Sequence, residues 1–132
     1  DRTMGKTALI VEDEIFVALD LERILIDAGY SVAAIAADEA EALAAAPACC
    51  AAFVDVNLRD GATGPSIAER IAREHGVKVV FVTANPAQIA AESAALGYIR
   101  KPFSEGAIRA AAALAFDGVI SLDNDFVAFT RG

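Results

Sequence analysis

Short apolar runs alternate along this chain with longer segments in which apolar residues recur every three or four positions, and Gly, Pro and Asp mark the joins. The first run, Leu9 to Val11, predicts a strand. After it, Val17, Leu21, Ile24, Leu25 and Ala28 share one face of a helix over 15–28, which Gly29 stops. Val32 to Ala36 predicts a second strand, Asp38 caps a short Ala-rich helix closed by Pro47, and Ala52 to Val56 predicts a third strand. Gly61 and Gly64 bracket a loop, followed by the buried stripe Ile67, Ala68, Ile71 and Ala72 of a helix ending at Gly76. Val77 to Val82 is β-branched and apolar on both faces, as a central parallel strand must be. A helix over Pro86–Ala95, a short strand at Tyr98 and Ile99, and a helix over Ser104–Phe116 capped by Ser104 complete five βα units. Such a succession predicts an α/β fold: a doubly wound five-stranded parallel sheet with helices on both faces.

At 132 residues the chain fits one domain, over residues 7–117. Residues 1–6 are read as an extension, with Asp1 to Thr3, ahead of Met4, as a vector-derived leftover. Residues 118–132 fit none of the five units; they are read as an extra hairpin around Asp123 and Asn124, an interface or a mobile tail. The net charge of −8, from 19 Asp plus Glu against 11 Lys plus Arg, repels nucleic acids and anionic membranes. No basic patch offsets it, so proteins and cations are the expected partners. No apolar stretch is long enough to span a bilayer, and the opening DRTMGK is polar, so a cytoplasmic location is expected. Cys49 and Cys50 are adjacent, without disulfide or metal-ligand spacing, and read as small apolar residues in a reducing compartment.

Ligands of an open parallel sheet sit at its carboxyl edge, so what ends each strand matters most. The first strand, in ALIVEDE, runs straight into Glu12, Asp13 and Glu14. The third carries Asp55, the fourth ends in Thr83, and Lys101 follows the fifth. Close carboxylates repel one another unless a cation neutralises them, and hard oxygen donors suit Mg²⁺. An Asp carboxylate can attack phosphorus to form an acyl phosphate, and Asp55, on the middle strand, is best placed to do so. A Lys ammonium and a metal would clamp the transferring oxygens while the Thr hydroxyl donates a hydrogen bond. Glu14 is read instead as the start of a helix, where the dipole favours negative charge, and His75 as a residue of a helix C-terminus.

VEDE at 11–14, FVDVNL at 53–58, VTAN at 82–85 and YIRKPF at 98–103 together resemble, in order and spacing, the motif blocks of response-regulator receiver domains of two-component signalling. The resemblance covers about residues 7–116. It implies a flavodoxin-like (βα)5 fold of strand order 2-1-3-4-5, with Asp55 as phosphoacceptor. It implies Mg²⁺, with Mn²⁺ as a substitute, on Glu12, Asp13, Asp55 and the backbone carbonyl of Asn57. Lys101 would contact the phosphoryl group, Pro102 would be the family's cis proline, and Thr83 with Tyr98 would form the switch pair. The phosphoryl donor would be a sensor histidine kinase or a histidine phosphotransfer protein. Output would be contact with a downstream protein through the fourth helix, fifth strand and fifth helix, from a monomer or a phosphorylation-dependent homodimer.

Thr83 to Lys101 is shorter than usual for that family, so the fourth helix is expected to be short, shifted or partly unwound. The loop NLRDGATG lacks the common proline and leaves Arg59 near the site, while Asn57 and Asn85 fall where side chains tune phosphoryl lifetime. The chain also reads as a piece of a hybrid kinase or larger regulator. A Mg²⁺-dependent aspartyl-phosphate phosphohydrolase is the enzymatic alternative, but it needs a general-acid Asp where this chain has Asn57. A flavodoxin-like cofactor binder lacks its Gly-rich phosphate loop.

Overall fold

The computed structural model describes residues 6–129; residues 1–5, with the expected vector-derived leftover, and 130–132 lie outside the described residues. In β1 (Thr7–Val11), Ala8 and Ile10 point into one apolar layer and Leu9 and Val11 into the other. All four are fully buried, which is why the strand reads as an unbroken apolar run instead of an alternation. The same division holds for Phe53 against Ala52 and Val54 in β3 (Ala51–Val54), and for Val80 and Val82 against Val79 and Phe81 in β4 (Lys78–Thr83).

With β2 (Ser31–Ala36) and β5 (Gly97–Arg100) these strands form a sheet of order β2-β1-β3-β4-β5, all parallel. α1 (Ile15–Asp27) and α4 (Glu105–Asp117) pack together over the face of Ile10, Phe53 and Val80. α2 (Glu39–Ala45) and α3 (Gly64–His75) cover the face of Leu9, Val54 and Phe81. Burying Phe53 and Phe81 contributes roughly 1.5–3 kcal/mol each. The expected doubly wound, flavodoxin-like sheet is therefore present.

Local signals act as the sequence leads one to expect. Asp38 Oδ1 accepts from the Glu41 N–H at 3.0 Å to start α2, and Ser104 Oγ accepts from the Ala107 N–H at 3.1 Å to start α4. Gly76, at φ 67°, takes the left-handed turn that ends α3 after His75.

Two expectations are corrected. No α-helix spans Pro86–Ala95: a 3-10 turn covers Pro86–Gln88, Ile89 is already extended, and bends lead into β5. The physical reasons are local. This Ala-rich stretch has little apart from Ile89 to bury on a core-facing stripe, and Ser93 Oγ accepts from the Ala95 N–H at 3.2 Å, diverting an amide from a helical ladder.

The second correction concerns the sheet, which among the described residues has six strands. β6 (Phe126–Ala128) runs antiparallel to β5, and the Phe129 N–H extends the pairing by donating to the Leu96 carbonyl at 2.8 Å. The expected hairpin at Asp123 and Asn124 is instead the turn before β6, held by the Asp125 N–H on Asp123 Oδ1 at 2.9 Å.

Candidate functional site

The sheet ladders run one residue past β1 and β3, and this brings the carboxylates together. The Glu12 N–H donates to the Ala36 carbonyl at 2.8 Å and the Asp55 N–H to the Val11 carbonyl at 2.9 Å. Gly64 lets α3 begin against this edge, since a Cβ there would collide with the Asp55 carbonyl oxygen. Glu12 and Asp55 are buried beside the exposed Asp13, and one carboxylate oxygen from each lies within 4.8 Å of the others. That spacing and all-oxygen chemistry fit one hard divalent cation, whose opposed ligands stand roughly 4–5 Å apart.

Lys101 Nζ enters this acid cluster from the end of β5, 2.8 Å from Asp55 Oδ2 and 2.6 Å from Glu12 Oε1, with Glu14 Oε1 farther off at 3.7 Å. Burial pushes the Glu12 carboxyl above its ordinary value, which the Lys101 ammonium and the Glu14 N–H, 3.1 Å from Glu12 Oε2, offset only in part. Burial also works against the Lys101 charge, yet its hydrogen bonds to Asp55 and Glu12 prevail and raise its pKa. The Lys101–Pro102 peptide is cis, as expected.

Thr83, fully buried at the end of β4, accepts from the Asn85 N–H at 3.1 Å through its hydroxyl oxygen, which leaves the hydroxyl proton for another acceptor. Asn57 donates its backbone N–H to Asp55 Oδ1 at 3.4 Å and, with Asp13, Glu14, Asp55, Leu58, Ala84 and Lys101, lines a cavity of about 360 Å³. Tyr98 stands apart from this cluster. Half-buried on the α2/α3 side of the sheet, its ring lies 5.9 Å from that of Phe129.

Glu14 occupies the N-cap position of α1 but makes no side-chain cap; the Glu12 carboxylate accepts its N–H instead. Arg59 turns away from the cavity to Asp38 Oδ2, 2.6 Å away, and Glu41. Gln88, which sequence reasoning passed over, pairs its side-chain amide with that of Asn57 at 2.9 Å. No local pattern signals a contact across 31 residues between two loops.

The curated "Phyllosphere-induced regulator PhyR" of Methylorubrum extorquens is 33% identical over an aligned span of 88 residues, and the match covers 63% of this chain and 32% of that protein. The chain thus spans about a third of the length of that relative. The solution structure of the PhyR response regulator REC domain of Erythrobacter litoralis superposes with a TM-score of 0.74 at 25% identity, covering 89% of this chain and 95% of that one. A signal receiver domain of a modulated diguanylate cyclase from Desulfovibrio desulfuricans G20 gives 0.75 at 27% identity, over 85% and 94%. The family model of the response regulator receiver domain matches residues 8–113, and the chain belongs to that family.

Proposed function

We propose that this receiver domain is a phosphorylation switch in which Asp55 accepts the phosphoryl group. One observation carries the proposal: Lys101 Nζ bridges Asp55 and Glu12 inside a cavity at the carboxyl edge of the sheet. An Asp55 oxygen attacks the phosphorus of a phosphohistidine on a sensor histidine kinase or histidine phosphotransfer protein. The P–O bond forms as the P–N bond breaks, and the imidazole leaves with the electron pair and takes up a proton. Lys101 neutralises phosphoryl oxygens, and the Thr83 hydroxyl donates to one of them. Glu12, Asp13, Asp55 and the backbone carbonyl of Asn57 would hold Mg²⁺, or Mn²⁺, which when bound supplies further positive charge to the transferring group.

Drawing Thr83 toward a phosphoryl group vacates space for the Tyr98 ring, which here must move against Phe129. The surface so altered is built from β5, β6, α4 and segment 84–96, in place of the face with a fourth helix that the family suggests. Its output is contact with a downstream protein, in the cytoplasm, from a monomer or a phosphorylation-dependent homodimer. Intact-mass analysis after treatment with a small phosphodonor and Mg²⁺ tests the proposal. One phosphoryl group is expected on the wild type and none on Asp55→Asn; undiminished uptake by that variant overturns it.

A further inference from the structure

Resting on this role of Asp55, we propose that Gln88 is a positioning residue that sets how long the phosphoryl group persists. Its side chain forms a reciprocal amide pair with Asn57: Asn57 Nδ2 donates to Gln88 Oε1 at 2.9 Å, and Gln88 Nε2 donates to Asn57 Oδ1 at 3.5 Å. On one side of the pair, the Asn57 N–H donates to Asp55 Oδ1 at 3.4 Å. On the other, the Gln88 N–H donates to the Asn85 carbonyl at 3.1 Å, and the Asn85 N–H donates to Thr83 Oγ1 at 3.1 Å. Hydrogen bonds therefore run from Asp55 to Thr83 around the rim of the cavity, and the amide pair is the link that crosses between its two loops.

The link matters because the β4–β5 connection holds only a 3-10 turn where a helix would otherwise fix its height above the acids. Asn57, Leu58 and Ala84 line the cavity, so the pair pins both loops beside the entrance. Loss of the phosphoryl group requires a water oxygen to attack phosphorus opposite the Asp55 oxygen. The P–O bond to Asp55 then breaks with its electron pair returning to the carboxylate, and water yields a proton as inorganic phosphate forms. Loops held close restrict that approach, and Gln88 restricts it only through Asn57 and Asn85.

Wild type, Gln88→Ala and Gln88→Glu, which keeps the acceptor for Asn57 Nδ2, are loaded with a small phosphodonor and Mg²⁺, the donor is removed, and loss of the phosphoryl group is followed by intact mass beside thermal unfolding. Gln88→Ala is expected to take up one phosphoryl group and lose it about threefold faster or more, the scale of one side-chain hydrogen bond. Its unfolding midpoint stays that of the wild type, since both amides are exposed, and Gln88→Glu keeps the slow loss. Equal lifetimes in wild type and Gln88→Ala, loss from Gln88→Glu as fast as from Gln88→Ala, or faster loss accompanied by a lowered midpoint each overturn the role of Gln88 alone. Failure of the wild type to take up any phosphoryl group overturns the role of Asp55 itself.

Discussion

Glu12, Asp55 and Thr83 are the buried polar or charged side chains among the described residues, and all three belong to the candidate site. Deleting the cation between the two carboxylates leaves negative charge buried without its partner. Lys101→Met is therefore expected to lower stability in metal-free buffer by roughly 3 kcal/mol, with Mg²⁺ restoring more to this variant than it adds to the wild type; urea unfolding with and without Mg²⁺ reads both. Glu12 adds a pH signature. Its pKa is raised in the fold, so the folded chain holds that proton more tightly than the unfolded chain. Its contribution to stability then falls as pH rises through 4.5 toward the folded value. Glu12→Gln removes that fall, so urea midpoints measured in metal-free buffer from about pH 4 to pH 7 should decline less steeply than in the wild type. Asp13, Asp55, Thr83 and Lys101 were legible as strand ends because a parallel sheet gathers its carboxyl termini on one edge. The Glu12 bond to the Glu14 N–H and the Asn57–Gln88 pair were not, because they depend on where side chains turn within loops.

Elements with a capping residue and a wide apolar stripe were legible to within a residue or two, α4 being the clearest case. Ser104→Ala should cost about 1 kcal/mol in urea unfolding, and Ser104→Asp should retain most of it. Within 84–96 the helix read from pattern over Pro86–Ala95 fails, because alanine favours a helix locally while packing supplies most helical stability in a folded domain; the shortness of Thr83 to Lys101 points to the unwound helix that the 3-10 turn at Pro86–Gln88 represents. β6 was misread for the opposite reason: it is a three-residue strand whose partner lies 29 residues back in β5, as in the pairing of Tyr98 with Val127. Gly97 reveals the pairing in the structure, since a Cβ there would strike the Val127 carbonyl oxygen. Gly97→Ala should accordingly detach β6, seen as faster hydrogen exchange of the Phe129 amide, while the amides of β1 and β3 keep their protection.

Across the whole molecule, one sheet separates two apolar layers and gathers opposite charges on one edge, although the chain carries a net charge of −8. The fold class was legible because continuous apolar strands alternating with amphipathic segments admit few other architectures. The candidate site was legible only as an ordered set of strand-end residues, since each of those residues alone has an ordinary structural use. Of the chain's 19 carboxylate side chains, Asp55 alone is proposed to take the phosphoryl group. Borohydride reduction converts an aspartyl phosphate to homoserine, so reducing the phosphodonor-treated protein and mapping its peptides by mass locates the modified residue directly. Homoserine at position 55 is the predicted result; homoserine at any other position, or a phosphoryl group retained elsewhere with Asp55 unchanged, would contradict it.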